Sequence, residues 1–406
     1  MMLLAAAAMA PVVTAGCGAP MRPVRTDAQF SERSAADLLE TRETFDGAVD
    51  SLLSRAQSKT SDAAGSTPTL DFLAMSGGGD YGAFGAGVLV GWGSISDPEW
   101  KRPDFDVVTG VSTGALLAPF AFVGTDEACM AVEHLYRHPK KDWLKDNGLL
   151  FFLPFNPSFM QIPGLERDIR AAIDRDMISR MAEQARKGKV LAISSTDLDL
   201  GRQKFWDVGA EAVKAVRTED YEKVHRIMLA SAAIPAIFPP IEIDDSIYGD
   251  GGVSANVFLR LDPRSPDSFV LKWKEKHPGT PLPRIRYWIV INNQLSHIPK
   301  TVQRKWPAVI GPSLEIAIRS ATLAEVRWLA AEADYTNVLL GTNIEVRVLA
   351  IPDDWRPPVE GQFQQETMQS LARVGRSLGE TPGSWKLLVT PEMSRGRRCY
   401  MTANRA

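Results

Sequence analysis

The apolar run Leu70–Met75 passes directly into Ser76-Gly77-Gly78-Gly79-Asp80-Tyr81-Gly82, and the residues that follow, Gly82–Gly93, have helical spacing. A strand, a glycine loop and a helix in immediate succession leave few architectures open. Consecutive glycines let the backbone approach a neighbour or a ligand closely. The helix N-terminus directs N–H groups and partial positive charge at the same point. Such a loop binds phosphate, or stabilises the oxyanion of an acyl-transfer intermediate. The run from Gly77 to Gly82 also satisfies the GxGxxG dinucleotide fingerprint. No acidic residue follows at the end of a second strand, near position 100, to hold a ribose. A turn kept only for helix–strand packing is the plainer alternative.

The rest of the chain continues the alternation. Leu70–Met75, Phe105–Thr109, Val190–Ser194, Tyr287–Ile291 and Val346–Ile351 read as strands. Gly82–Gly93, Gly114–Val123, Glu166–Lys187, Tyr221–Ala233 and Pro312–Asp334 read as helices. This order predicts an α/β fold with a mainly parallel central sheet. Hydrophobic residues at 45% and charged residues at 23% exclude a largely disordered chain. The 46 basic and 49 acidic residues leave a net charge of −3, which gives no electrostatic case for nucleic acid binding. The three cysteines, Cys17, Cys129 and Cys399, form no CxxC, which excludes a zinc finger or a disulfide framework. Five histidines argue against a His-rich metal site. No cofactor or metal is expected.

The second constraint is Gly110-Val111-Ser112-Thr113-Gly114, between a β-branched run and a helical one. This is G-x-S-x-G in the strand-to-helix context in which a sharp turn projects the serine from the sheet edge. The following helix N-terminus favours partial alkoxide character at Ser112. A helix-capping serine is the alternative. Two residues compete as its base. His297 follows the strand Tyr287–Ile291 by a short loop, and the order Ser112, Asp250, His297 matches that of α/β-hydrolase triads. Asp250 stands in Ile247-Tyr-Gly-Asp250-Gly251-Gly252-Val253, read as a turn whose glycines permit close approach to another segment. Buried beside Ser112, it would lose solvation and become a better base.

Taken together, Gly77-Gly78-Gly79, Gly110-x-Ser112-x-Gly114 and Asp250-Gly251-Gly252 resemble the patatin-like phospholipase family. Ser231-Ala-Ala-Ile-Pro235, followed by Phe238-Pro-Pro, is similar to a further block of that family. The resemblance spans about Leu70 to Phe258. It implies an α/β sheet with helices on both faces and a Ser–Asp dyad without histidine. Ser112 would be the nucleophile and Asp250 the general base, with Gly77, Gly78 and Gly79 forming the oxyanion hole. The implied activity is lipid acyl-ester hydrolysis, of phospholipid or lysophospholipid. The family often carries Arg or Lys where this chain has Tyr81, which removes an arginine from the loop but not its backbone donors. A triad esterase using His297, and a lipoprotein that binds lipid without cleaving it, are the other readings.

Residues 1–17 form an apolar segment too short to span a bilayer. Its end, Thr14-Ala15-Gly16-Cys17, resembles a bacterial lipobox, with Cys17 as the acylated anchor; an ordinary cleaved signal is the alternative. The lipobox reading implies a membrane surface as partner and a place in the cell envelope. Gly18 is not the aspartate of inner-membrane retention, so the outer membrane is expected where one exists. Residues 18–69 read as a tether and helical arm, with Leu38, Leu39, Phe45, Val49, Leu52 and Leu53 at helical spacing. Residues 70–260 hold the motifs. Residues 261–406 read as a C-terminal α/β extension of the same sheet. The aromatic stretch Leu149–Met160 reads either as a lipid-facing segment or as covered core. Cys129 and Cys399 are open to pairing in an oxidising compartment.

Overall fold

The computed structural model describes residues 22–62, 67–146, 158, 160–259, 265, 267–299 and 301–396. Cys17, Cys399 and most of the stretch 149–160 lie outside them. The strands are β1 Thr69–Met75, β2 Val107–Val111, β3 Lys145–Asp146, β4 Met160–Gln161, β5 Val190–Asp197, β6 Arg202–Asp207, β7 Ile241–Ile243, β8 Ser246–Asp250, β9 Arg284–Gln294, β10 Ile344–Ile351 and β11 Lys386–Val389. The α-helices are α1 Asp27–Asp62, α2 Gly82–Trp92, α3 Thr113–Val123, α4 Asp126–Arg137, α5 Pro163–Ala172, α6 Arg175–Arg186, α7 Val208–Thr218, α8 Glu222–Ser231, α9 Phe269–Lys276, α10 Trp306–Leu340 and α11 Gln365–Gly379.

Among the described residues, nine strands form one sheet in the order β11-β10-β9-β1-β2-β5-β8-β7, with β6 beside β5. The central strands β10, β9, β1, β2 and β5 are parallel, while β11, β6, β8 and β7 pair antiparallel. The sheet is therefore mixed, with mostly parallel central pairing and helices on both faces. The two-residue period of a strand divides the core. On β1, Leu73 and Met75 join the cluster packed under α2 to α8 and α11. Leu70, Phe72 and Ala74 join the one under α1, α9 and α10. Both faces of β1 are buried, which is why its run is nearly all apolar.

Strand β1 lies between β2 and β9, so Phe72 is in register with Val107 on one side and Tyr287 on the other. The centre of the sheet thus combines residues from both sides of position 261. Helices α2 and α11 cross backbone to backbone. A Cβ on Gly87, Gly91 or Gly375 would stand 2.1 Å from the carbonyl oxygen of Ala372, Arg376 or Phe84 respectively.

Several elements differ from the sequence expectation. Glu166–Lys187 is not one helix but α5 and α6, because the Asp174 carboxylate caps α6 by accepting from Met177 N–H at 2.9 Å. Helix α10 begins at Trp306, and Pro312 sits inside it. In α1, Val49, Leu52 and Leu53 are buried, whereas Leu38 and Leu39 are exposed. Cys129 is a free thiol buried in the core, and burial pushes it up to about 11.

Candidate active site

The topology brings two strand ends together. Val111, the last residue of β2, pairs with Ser194 of β5, and Asp250, the last residue of β8, pairs with Ser195. Because β6 covers the other edge of β5 along this stretch, β2 and β8 share one edge and meet end to end. Ser112 follows β2 at once, so it and Asp250 are neighbours through the register of β5. The sequence reading of Asp250 as a turn residue is corrected: it closes a strand, and the turn begins at Gly251. The hairpin that carries it was hidden in Asp244-Asp245, whose two residues both take positive φ, 47° and 64°.

Ser112 has φ 54° and ψ −123°, a backbone state unfavourable for a residue with a Cβ. The flanking glycines show how it is held. A Cβ on Gly110 would stand 2.4 Å from the Gly114 carbonyl oxygen, and one on Gly114 would stand 2.1 Å from that of Met75. The elbow therefore packs against itself and against the end of β1. Ser112 N–H donates to Ser231 Oγ at 3.0 Å, and the Ser231 hydroxyl donates to the Ser194 carbonyl at 2.6 Å. Ser231 thus ties the elbow to β5.

Asp250 is 5% exposed. Its N–H donates to the Ala233 carbonyl at 2.8 Å, and its carbonyl accepts from Thr196 Oγ1 at 2.8 Å. Carboxylate Oδ1 accepts from Gly252 N–H at 2.7 Å, while Oδ2 is buried without a hydrogen-bond partner. Loss of solvation pushes this carboxyl up to about 6, against the opposing pull of the Ser112 hydroxyl and the Gly252 N–H. The Ser112 side chain is thus near enough to favour the ionised form, although it stands outside hydrogen-bond geometry to Oδ2. Long contacts of this kind are usual before substrate binds.

The glycine loop lies beside the elbow. Gly77 N–H donates to Asn256 Oδ1 at 2.9 Å, so this N–H is engaged and drops out of the expected oxyanion set. The N–H groups of Gly78 and Gly79 have no described acceptor. Gly78 is required by space, since a Cβ there would stand 2.1 Å from the Asn292 carbonyl oxygen; Gly79 is at φ 61°. Asn292, near the end of β9, braces the loop further. Its Nδ2 donates to the Ser76 carbonyl at 2.8 Å and its Oδ1 accepts from Gly85 N–H at 2.9 Å. Tyr81 stacks edge-on against Trp355 with centroids 5.4 Å apart.

A largely apolar pocket opens at Ser112 and Gly79. Leu116, Phe120, Leu165, Ile169, Ile234 and Phe238 supply much of its wall. Asp168 also borders it. Its carboxylate is held by Trp143 Nε1 at 2.8 Å and by Lys140 and Arg167, which keep it well below the usual carboxylate range despite burial. A serine hydroxyl, a desolvated carboxylate able to take its proton, backbone N–H donors for an oxyanion and an apolar pocket are together suited to attack on an ester of an apolar acid.

His297 is exposed on the loop after β9, with no hydrogen bond to Ser112 or Asp250, and it does not line the pocket. Sequence reasoning quoted Ser231 without a role and missed Asn256 and Asn292. Asn292, a polar residue in the otherwise apolar end of β9, was the available signal; Asn256 lies in the loop after Asp250 and gave none.

Fold and site together define a layered α/β protein with a serine elbow at the carboxyl end of a central strand. Residues 73–261 match the model of the patatin family, described as patatin-like phospholipase. Among solved structures the chain is similar to VipD from Legionella pneumophila, at 12% identity over 78% of this chain and 67% of that one, with TM-score 0.38. It is also similar to the type III effector protein ExoU, at 14% identity over 77% of this chain and 53% of that one, with TM-score 0.33. This chain thus spans about half the length of ExoU. No curated protein sequence matches it.

Proposed function

We propose that the chain is a lipid acyl-ester hydrolase acting on phospholipid or lysophospholipid. Ser112 is the nucleophile, Asp250 the general base, and the N–H groups of Gly78 and Gly79 the oxyanion donors. The observation that carries this reading is the meeting of Ser112 and the buried Asp250 on one edge of β5, with Ser112 lining an apolar pocket. Asp250 accepts the Ser112 proton as Oγ attacks the ester carbonyl. The oxyanion then faces the glycine N–H groups, each worth about 3–4 kcal/mol in comparable sites. Asp250 returns the proton to the departing alkoxide. Water repeats the sequence on the acyl-enzyme and frees the fatty acid. A carboxyl near 6 is ionised at neutral pH, yet more basic than an ordinary aspartate.

The family match supports a phospholipase substrate, and the apolar pocket supports an acyl group on the Ser112 side. The test is hydrolysis of short acyl esters and phospholipid vesicles by folded wild type, Ser112→Ala and Asp250→Asn. Loss in both variants is expected. Activity retained in Asp250→Asn but lost in His297→Ala would overturn the dyad in favour of a triad. Lipid binding without turnover by wild type would favour a lipid carrier.

Cys17 lies outside the described residues, and its role rests on the lipobox resemblance. It is the acylated anchor in this reading and holds the enzyme at the bacterial envelope. Incorporation of labelled fatty acid that persists in Cys17→Ser would remove the anchor.

A further inference from the structure

One residue of the pocket lining, Phe363, comes from outside the span that matches the family. The loop between β10 and α11 folds over the glycine loop. Trp355 contacts Tyr81, and Phe363 N–H donates to Asp80 Oδ2 at 2.9 Å. Phe363 lines the pocket together with Ser112 and Gly79. Its ring stands between two others, edge-on to Trp143 at 6.0 Å and tilted against Phe238 at 6.5 Å. Trp143 follows α4 and Phe238 follows α8, so the three rings join separate parts of the chain across one side of the pocket.

Two features mark this placement as held rather than incidental. Phe363 has φ 55°, a costly conformation for a bulky residue that persists only when its surroundings impose it. Asp80, which holds its N–H, is 7% exposed and carries no salt bridge among the described residues, so its carboxylate is kept largely out of water where it makes this contact. Burial pushes the Asp80 carboxyl up to about 6. Asp80 directly follows Gly79, so the residue that anchors the wall is covalently joined to an oxyanion donor.

We propose that Phe363 is a specificity-determining residue that sets how much of an acyl chain the pocket admits, and that Asp80 is the positioning residue that holds it there. The proposal rests on the reading of the pocket as an acyl site. Closing the wall with a fixed aromatic ring favours shorter acyl groups. Removing the ring opens the pocket, and enlarging it shortens the pocket. Discrimination of this kind in an apolar pocket is worth about tenfold or more for small changes in chain length.

The experiment uses the full chain with Phe363→Ala, Phe363→Trp, Asp80→Ala and Asp80→Asn. Turnover is measured as kcat/KM across nitrophenyl esters from butyrate to palmitate. Binding of octanoate through stearate is measured by calorimetry, with each change placed in a Ser112→Ala background. Phe363→Ala should raise the long-to-short ratio about tenfold in both measurements, and Phe363→Trp should lower it. Asp80→Ala should broaden the profile, while Asp80→Asn, which keeps an acceptor for Phe363 N–H, should restore it. Hydrolysis by wild type with a profile unmoved by either Phe363 change would overturn the proposal and leave the hydrolase reading standing. Shifted binding without turnover would do the reverse. Opposite shifts from the two Phe363 changes cannot arise from general loss of fold.

Discussion

Replacing Asp250 by asparagine is expected to stabilise the fold at neutral pH while abolishing activity. The carboxyl rises from 3.8 to about 6 because folding strips its solvent and leaves Oδ2 without a partner. At 1.36 kcal/mol per pH unit, that rise corresponds to about 3 kcal/mol by which folding disfavours the charged form. Asparagine has nearly the same shape and no charge to desolvate. Its amide still requires a partner near Ser112, which lowers the expected gain to about 1–3 kcal/mol. The sign follows from linkage. A raised carboxyl pKa contributes stability that is present below 3.8 and lost as pH rises through about 6. The advantage of the variant should therefore be full at pH 8, shrink below 6 and vanish near pH 4. Asp80 and Asp207 also titrate near 6, through burial, but they are common to both proteins and cancel in the difference. Urea unfolding of wild type and variant at several pH values measures it directly. A variant less stable than wild type at pH 8, or a difference independent of pH, would refute the account of Asp250 as a desolvated base.

Three further outcomes are expected. The pH profile of kcat/KM should rise through about pH 6 as Asp250 ionises and level off above; a limb near pH 4 would mean that another carboxylate serves Ser112. Ser231→Ala should leave the buried Ser112 N–H without its acceptor, costing about 1–3 kcal/mol in urea unfolding and lowering kcat more than it raises KM. Gly375→Ala should destabilise by about 1–3 kcal/mol or more, seen as a lower Tm, because its Cβ would stand 2.1 Å from the Phe84 carbonyl oxygen and force α2 and α11 apart.

The central strands were legible because both their faces are buried. Leu70–Met75 and Val190–Ser194 are short, nearly continuous apolar runs. Ser112 was legible for a different reason: its elbow requires small residues at fixed positions, and Gly110 and Gly114 mark it. The antiparallel elements were not. Strand β6, Arg202–Asp207, opens with three polar residues, and β8 is a five-residue strand recognisable only through the Asp244-Asp245 turn. The polar braces Ser231, Asn256 and Asn292 act across sequence separations of more than a hundred residues. Local spacing carries no trace of such contacts. Phe363 escaped for the same reason, since only the folded loop brings it to Ser112.

The place of β1 between β2 and β9 also bears on when the site can exist. A polypeptide is made from its N-terminus, and its long-range pairings wait for both partners. The glycine loop follows β1, yet the asparagine that braces it lies 216 residues beyond Ser76. The helix that packs on α2 comes later still. Until those residues have emerged, β1 has an open edge and the loop has no brace. A site arranged in this way stays unassembled on its own nascent chain, and its completion is timed by the last third of the polypeptide.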